Sequence, residues 1–357
     1  MILQAVLSTS TNPWFNLALE YFLGQRLAPD THLFYWWQNR PAVIIGRFQN
    51  GWAEVDAAAL QRDGVDLVRR PTGGGAVFHD EGNSNFTFWE ATPAGHPRSP
   101  LHDPLIQQHF AIIQQALRRW QISAVVYGRN DLGIDDGGQR RKISGNAFTY
   151  HPTKVLHHGT LLRAVHAQKM ATYLRPHPLK LKGVASCPQR VVGLNDYAPT
   201  ITHQNLGEAI LAAWLAEYGK SLTAAAREKI VWQHYSEADL PALLAAGDDF
   251  PYQKWRRPEW NWGTAIQFAQ KLDFKFSFGL FTIMAKVGGD QRVEQAIIYS
   301  DALNLDLVPA WQQALPGCLW RPAALLACFP VAFLPVAAQA EVAAALAAPS
   351  GGAAEEA

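Results

Sequence analysis

The sequence has no surplus of either charge: 31 basic against 30 acidic residues leave a net charge of +1. No global field therefore recruits nucleic acid or an anionic membrane, and any bound anion needs a local site. Cysteine is scarce. Cys187, Cys318 and Cys328 are an odd number at no metal-ligand spacing, which fits a reducing cytoplasm without structural zinc. The 12 histidines include no HExxH pattern. The N-terminus MILQAVLSTSTNPW lacks the basic region and long apolar core of an export signal, so the expected location is cytoplasmic. The uncharged run Pro322 to Ala340 approaches the roughly 20 residues that span a bilayer. Pro330 and Pro335 interrupt it, and it reads as a buried helical pair broken by prolines.

What is present suffices for a large core. Hydrophobic residues make up 48% and charged ones 17% of 357 residues, a composition that excludes general disorder and suits two unequal domains. In NPWFNLALEYFLGQRL, Asn12 caps a helix with Pro13 at its first position, and Trp14, Leu17, Ala18, Tyr21 and Phe22 recur at helical spacing. HLFYWW, PAVIIG, VDLVRR, AVFH and NFTFW read as strands, with a short helix at VDAAALQRD. DPLIQQHFAIIQQALRRW reads as a longer helix, and KISGNAFTY with VLHHGTLL as a strand pair. Strands in sequence with helices laid over them predict an α+β fold. Beyond the helix NLGEAILAAWLAEYG, composition turns loop-like at AAGDDFPYQKW. The expected layout is a first domain over 1–246, a linker over 247–253, a small α+β domain over 254–348 and a disordered tail over 349–357. A hairpin across Gly288 and Gly289 and two or three helices are expected in the second domain.

The segment RRPTGGGAVFHDEGN concentrates the chemistry. Gly73, Gly74 and Gly75 are followed by no Gly-Lys-Ser/Thr, and they form no GxGxxG that opens a helix, so neither nucleotide-binding loop applies. Adjacent residues without side chains let the main chain approach a ligand and aim successive N–H groups at it. Arg69 and Arg70 add always-charged forks, of which only one can point into a site from a strand. On residue types alone, an anion cradle and a glycine-rich bulge with solvated arginines fit equally. Lys142, two residues ahead of the small stretch Ser144, Gly145 and Asn146, adds a compact cation suited to developing negative charge.

Beyond residue types, the motifs RRPTGGGAVFHDEGNSNFTF, GRNDLGI, RKISGNAF and HHGTLL resemble the catalytic motifs of lipoate-protein ligases, relatives of biotin-protein ligases. NPWFNLALE, KGVASCPQRVVGL, EWNWGTAIQF and DALNLDLVPAWQQALPGCLWRPAAL extend the resemblance, in order, to the two-domain bacterial type; the loop DDGGQRR and the tail fall outside it. The resemblance implies a large mixed-sheet catalytic domain of the biotin/lipoate ligase type with a small α+β accessory domain. It implies an enzyme that activates lipoate with ATP and Mg²⁺ to lipoyl-AMP, without a tightly bound prosthetic group. The lipoyl group then passes to a lysine on lipoyl domains of 2-oxoacid dehydrogenase complexes or on the glycine cleavage H protein. A monomer is expected, with no nucleic-acid or membrane partner.

Carried over by position, the resemblance assigns Arg70, Gly75, Ala76, Val77 and Phe78 to the nucleotide and Lys142 to the acyl carbonyl and α-phosphate. It assigns Gly73, Gly74, His79, Asn83, Ser144, Gly145, His158 and Gly159 to the lipoate side. Asn130 and Asp131 are candidates for the magnesium and phosphate side, with an Asx turn as the plain alternative. Leu17, Val77 and Phe86 are candidate liners of an apolar tunnel or members of the core, and strand alternation turns His157 away from the face that carries His158. A transferase working through a cysteine thioester would need a thiol facing Lys142; Cys187 lies well downstream and reads as a small buried residue. A biotin ligase and a non-catalytic lipoate binder are the other rivals.

Overall fold

The computed structural model describes residues 2–96, 102–175, 179, 191–223, 230–247, 250–263, 268, 270–347 and 354–356. Cys187 and most of the segment KGVASCPQRVVGL lie outside the described residues.

Eleven strands make the first body: β1 (Ile2–Ser8), β2 (Thr31–Trp37), β3 (Ala42–Ile45), β4 (Asp66–Arg69), β5 (Val77–His79), β6 (Asn83–Ala91), β7 (Ala124–Tyr127), β8 (Asp131–Asp136), β9 (Gln139–His151), β10 (Lys154–Leu162) and β11 (Trp232–Tyr235). Eight of them form one mixed sheet in the order β11-β1-β2-β6-β10-β9-β8-β7, and β4-β3-β5 form a small second sheet. β1 runs parallel to both β11 and β2, and the other neighbours in the large sheet are antiparallel.

Alternation along β2 shows why these residues make a two-sided layer. Leu33, Tyr35 and Trp37 pack with Leu17, Ala18 and Trp89 beneath the helix Pro13–Gln25. Phe34 and Trp36 face the opposite core, built from the helices Pro104–Leu117 and His203–Tyr218. The same rule governs β10, where His157 lies among the aromatic rings of the second core and His158 bonds Glu20 on the first helix. Asn12 caps that helix through the N–H groups of Trp14 and Phe15, as its sequence signature requires.

DDGGQRR is not an extended loop. β8 and β9 meet in a tight hairpin whose turn residues, Gly137 and Gly138, have φ of 57° and 82°. Asp135 pairs with Arg140 and Asp136 with Arg141 across it. The two glycines supply the positive φ that such a turn demands.

The C-terminal part has its own sheet, β12 (Gln270–Phe276), β13 (Gly279–Val287), β14 (Val293–Ser300) and β15 (Ala354–Glu356), in the order β14-β13-β12-β15. The last strand falls within the stretch read as a disordered tail. A separate core centres on Phe274, Phe281, Trp311 and Phe329. The expected buried helical pair is corrected here: Pro322–Ala327 and Val336–Ala347 are helices, but the second is largely exposed, with Val336 at 81%. Its alanines offer little area to bury, so only Val342 is enclosed. No helix among the described residues is long and apolar enough to cross a membrane. The segment Tyr252–Trp262, at the expected domain junction, packs Tyr252, Trp255 and Trp260 on the core beneath the first helix.

Candidate functional site

A cavity of about 720 Å³ is walled by the glycine loop, β5, β9, β10, the turn before β8 and the residues Asp301 and Leu303. Leu17, Trp37, Ile44, Val77, Met170, Leu174 and Leu303 supply apolar wall; Arg129, Asn130, Asp131 and Lys142 supply polar wall. That mixture suits a ligand with a long apolar part and a charged end.

The two adjacent arginines leave β4 in opposite directions. Arg69 is gripped by backbone carbonyls: Nη1 donates to Gly46, Arg47 and Gln49, Nε to Trp260 at 2.7 Å, and Nη2 to Asn261. Burial, with Arg47 nearby, lowers its pKa to about 10, so it stays charged as a structural clamp. Arg70 faces the cavity, with Nη2 donating to Gly73 O at 2.7 Å and Gly75 O at 2.9 Å and Nη1 to Ile44 O at 3.2 Å. It shapes the glycine loop from within.

The three glycines do different things. A Cβ on Gly73 would lie 2.3 Å from Ala302 O, and Gly74 N donates to that same carbonyl at 3.3 Å, so the C-terminal part seats the loop. Gly74 has φ of 93° and would place a Cβ 2.8 Å from Arg70 Nη2. Gly75 lines the cavity, and a Cβ there meets nothing within 4 Å.

Lys142 Nζ lies 2.6 Å from Asp131 Oδ1 across the β8–β9 pair. Gly145 lies beside it: a Cβ there would approach Nζ to 2.9 Å and displace the end of the lysine side chain. Asn130 and Asn146 bond each other in both directions: Asn146 N and Nδ2 donate to Asn130 O at 3.1 and 2.8 Å, and Asn130 Nδ2 donates back to Asn146 O. This pairing fixes the turn Gly128–Asp131, where Gly128 has φ of 62°.

Two histidines stand at the wall. Thr72 Oγ1 accepts from Arg70 Nε at 3.0 Å and lies 2.9 Å from His158 Nε2. His158 Nδ1 faces both oxygens of the fully buried Glu20, at 2.9 and 3.0 Å. Asn16 Nδ2 donates to Asn39 Oδ1, so Asn39 Nδ2 donates to His79 Nδ1 at 3.1 Å. His79 thus presents Nε2–H, which has no protein partner among the described residues. Burial, helped by the charge of Arg70, pushes the His79 pKa down to about 3 and keeps the ring neutral.

Of the residues singled out by sequence, Arg70, Gly74, Gly75, Ala76, Val77, His79, Asp131, Lys142, Gly145, His158, Gly159 and Leu17 line one cavity. Gly73, Phe78, Asn83, Ser144 and Phe86 stand behind that wall. Phe78 packs on Tyr173, Asn83 donates to Asn85, Ser144 accepts from Asn146, and Phe86 lies under Gly159. Sequence reading missed Glu20, Thr72, Trp37, Asn85, Arg129 and Leu303. Glu20 carried a signal, as the lone acid within the apolar helix; Arg129 is exposed with no acidic partner among the described residues. No cysteine among the described residues lines the cavity. Asp80, Glu81 and His166 form the one described acid and histidine cluster close enough to hold a metal, but Lys169 Nζ already sits 3.7 Å from Asp80 and 3.1 Å from Glu81.

Residues 12–215 match the family model described as the lipoyl protein ligase A/B catalytic domain. The chain is 36% identical over 317 residues to lipoate-protein ligase A of Psychrobacter cryohalolentis, covering 88% of both chains. It superposes on LipL1 of P. falciparum in complex with lipoate with a TM-score of 0.76 at 23% identity, over 96% of this chain and 98% of that one. It also superposes on a lipoate-protein ligase A bound with ATP, with a TM-score of 0.57 at 20% identity, over 74% of this chain and 99% of that one. At these identities the structural likenesses show a shared fold.

Proposed function

The chain belongs to the lipoyl protein ligase A/B catalytic-domain family, and from that membership we infer that it is an ATP-dependent lipoate-protein ligase. It activates free lipoate to lipoyl-AMP, releasing pyrophosphate, and passes the lipoyl group to a lysine amine of an acceptor. The observation that carries this reading is the convergence of the open Gly75 wall and Lys142 on one largely apolar cavity.

A carboxylate and a triphosphate repel, so the site must neutralise charge before the carboxylate oxygen attacks the α-phosphorus. We assign that role to Lys142, which contacts the acyl carbonyl and an α-phosphate oxygen, while Asp131 holds Nζ at the wall until substrate arrives. When the acceptor amine attacks the acyl carbonyl, Lys142 stabilises the oxyanion and AMP leaves. Gly75, Ala76 and Val77 form the nucleotide face, and Arg70 and the seat at Ala302 hold its shape. Arg129 adds positive charge at the rim for the departing pyrophosphate. His79 and Asn85 belong to the cavity wall, with His79 Nε2–H and Asn85 Nδ2 enclosed in it and without protein partners among the described residues. The apolar wall from Leu17, Trp37, Val77 and Leu303 takes the lipoyl chain.

Asp131 is a hard oxygen donor beside the proposed phosphate position, the kind of single carboxylate that Mg²⁺ accepts together with substrate phosphates. Magnesium bound there would screen the triphosphate. The acceptors proposed are lipoyl domains of 2-oxoacid dehydrogenase complexes and the glycine cleavage H protein, modified by a monomer in the cytosol. The proposed division is a catalytic unit over 1–246 joined through 247–253 to an accessory unit over 254–348. Incubation with lipoate and magnesium-ATP is expected to release pyrophosphate and form lipoyl-AMP; no lipoate-dependent pyrophosphate would sink the reading.

A further inference from the structure

One buried polar chain is not used in that chemistry. Glu90 on β6 is fully buried between His32 and His109, with His109 Nε2 3.0 Å from Oε1 and His32 Nδ1 bonded to Oε2. His109 Nδ1 lies 3.3 Å from His157 Nδ1, and His157 Nε2 lies 3.0 Å from Asn146 Oδ1. The chain thus joins the edge of the second core to a residue of the cavity wall.

The proton positions follow from the far end inward. Asn130 O is a carbonyl, so the Asn146 atom facing it must be the amide nitrogen, and the atom facing His157 is Oδ1. His157 Nε2 must then donate. His157 is fully buried, and burial, reinforced by His109, drives its pKa well below the ordinary histidine value, so the ring is neutral and Nδ1 accepts. His109 Nδ1 must donate to it. The other nitrogen of His109 faces Glu90, whose hydrogen bonds from His109 and His32 more than offset the upward push of burial and leave its pKa below the usual value. A carboxylate accepts only, so His109 Nε2 also donates.

We propose that Glu90, His109 and His157 are positioning residues for adenylation. The Glu90–His109 ion pair orders a neutral His157 that donates to Asn146, and Asn146 with Asn130 holds the Gly128–Asp131 turn that presents Asp131 to Lys142. This rests on the assignment of Lys142 to the reacting end. His157 touches no substrate; it acts through Asn146.

Two experiments test it on the full chain. Nitrogen-15 NMR of labelled histidines at neutral pH is expected to show protons on both nitrogens of His109 and on Nε2 alone of His157; His157 protonated on Nδ1, or a singly protonated His109, overturns the proposal. His157→Phe fits the aromatic surroundings of Phe86, Phe110 and Phe148 but removes the donor. It is expected to lower the kcat of lipoate-dependent pyrophosphate release about tenfold or more, with KM for lipoate within about twofold, while His157→Gln, which keeps an N–H at the Nε2 position, restores most of it. Equal kcat in wild type and His157→Phe, or no rescue by His157→Gln, overturns the proposal. If His157→Phe does not fold, the NMR result decides. A wild-type protein that makes no adenylate contradicts the ligase reading itself, and the NMR result still decides the proton arrangement.

Discussion

Gly75 and Gly73, two residues apart, illustrate how differently glycines in one wall are constrained. Gly73 has no room, because Ala302 O occupies the place of a Cβ; Gly75 has room, and that room belongs to the cavity. Gly73→Ala is therefore expected to destabilise the fold by about 1–3 kcal/mol, the usual cost of overpacking, in urea denaturation. Gly75→Val is expected to leave stability within about 0.5 kcal/mol and to abolish ATP binding by calorimetry. Unchanged ATP affinity in Gly75→Val would remove the nucleotide from this wall. Arg129→Ala is expected to raise KM for ATP severalfold with little effect on the melting temperature, because the side chain is exposed and packs no core. The sequence placed paired arginines beside the glycines but could not show that Arg69 is a clamp. Its partners include carbonyls of Trp260 and Asn261, about 190 positions away, beyond the reach of any local pattern.

Among elements, β4 is held to the rest of the protein through that clamp. Removing Arg69 orphans several buried carbonyls at once, each costing about 1–3 kcal/mol when left unsatisfied. Arg69→Met is accordingly expected to lower the urea midpoint far more than Lys142→Ala; equal midpoints would show that water or local rearrangement replaces the clamp. Strand alternation was legible from residue types alone: it set His157 and His158 on opposite faces of β10, where they join different networks. The hairpin at Gly137 and Gly138 was not read from the sequence. DDGGQRR falls outside the family resemblance and reads only as a loop, yet its aspartates and arginines face one another across a two-residue turn. The cavity wall from Asp301 and Leu303 was equally hidden, since it depends on how the C-terminal part meets the glycine loop.

The whole molecule carries several buried neutral histidines, and this sets its response to acid. In His79, burial and the nearby Arg70 lower the pKa from 6.5 to about 3; in His203, burial and Arg163 lower it to about 4. The unfolded chain takes up these protons near pH 6.5 and the folded chain resists them. The stability they contribute is therefore complete above pH 6.5 and is lost progressively as pH falls toward 3. Urea midpoints between pH 7.5 and 4.5 are expected to decline, and His79→Gln to flatten the decline. An unchanged slope in that variant would contradict a buried neutral His79. The same scale governs access for the acceptor. Asp301 and Leu303 help to wall the cavity, so a movement of the C-terminal part away from the glycine loop would open it further to an acceptor lysine. Small-angle scattering is expected to change on adding a non-hydrolysable lipoyl-adenylate analogue, and identical profiles would argue against such movement. The most direct test of the central claim, that Lys142 drives acyl-adenylate formation at the Gly75 wall, is single-turnover lipoyl-AMP formation in Lys142→Ala. The expected result is a loss of about 10²–10³-fold with an unchanged melting temperature; a rate within threefold of wild type would contradict it.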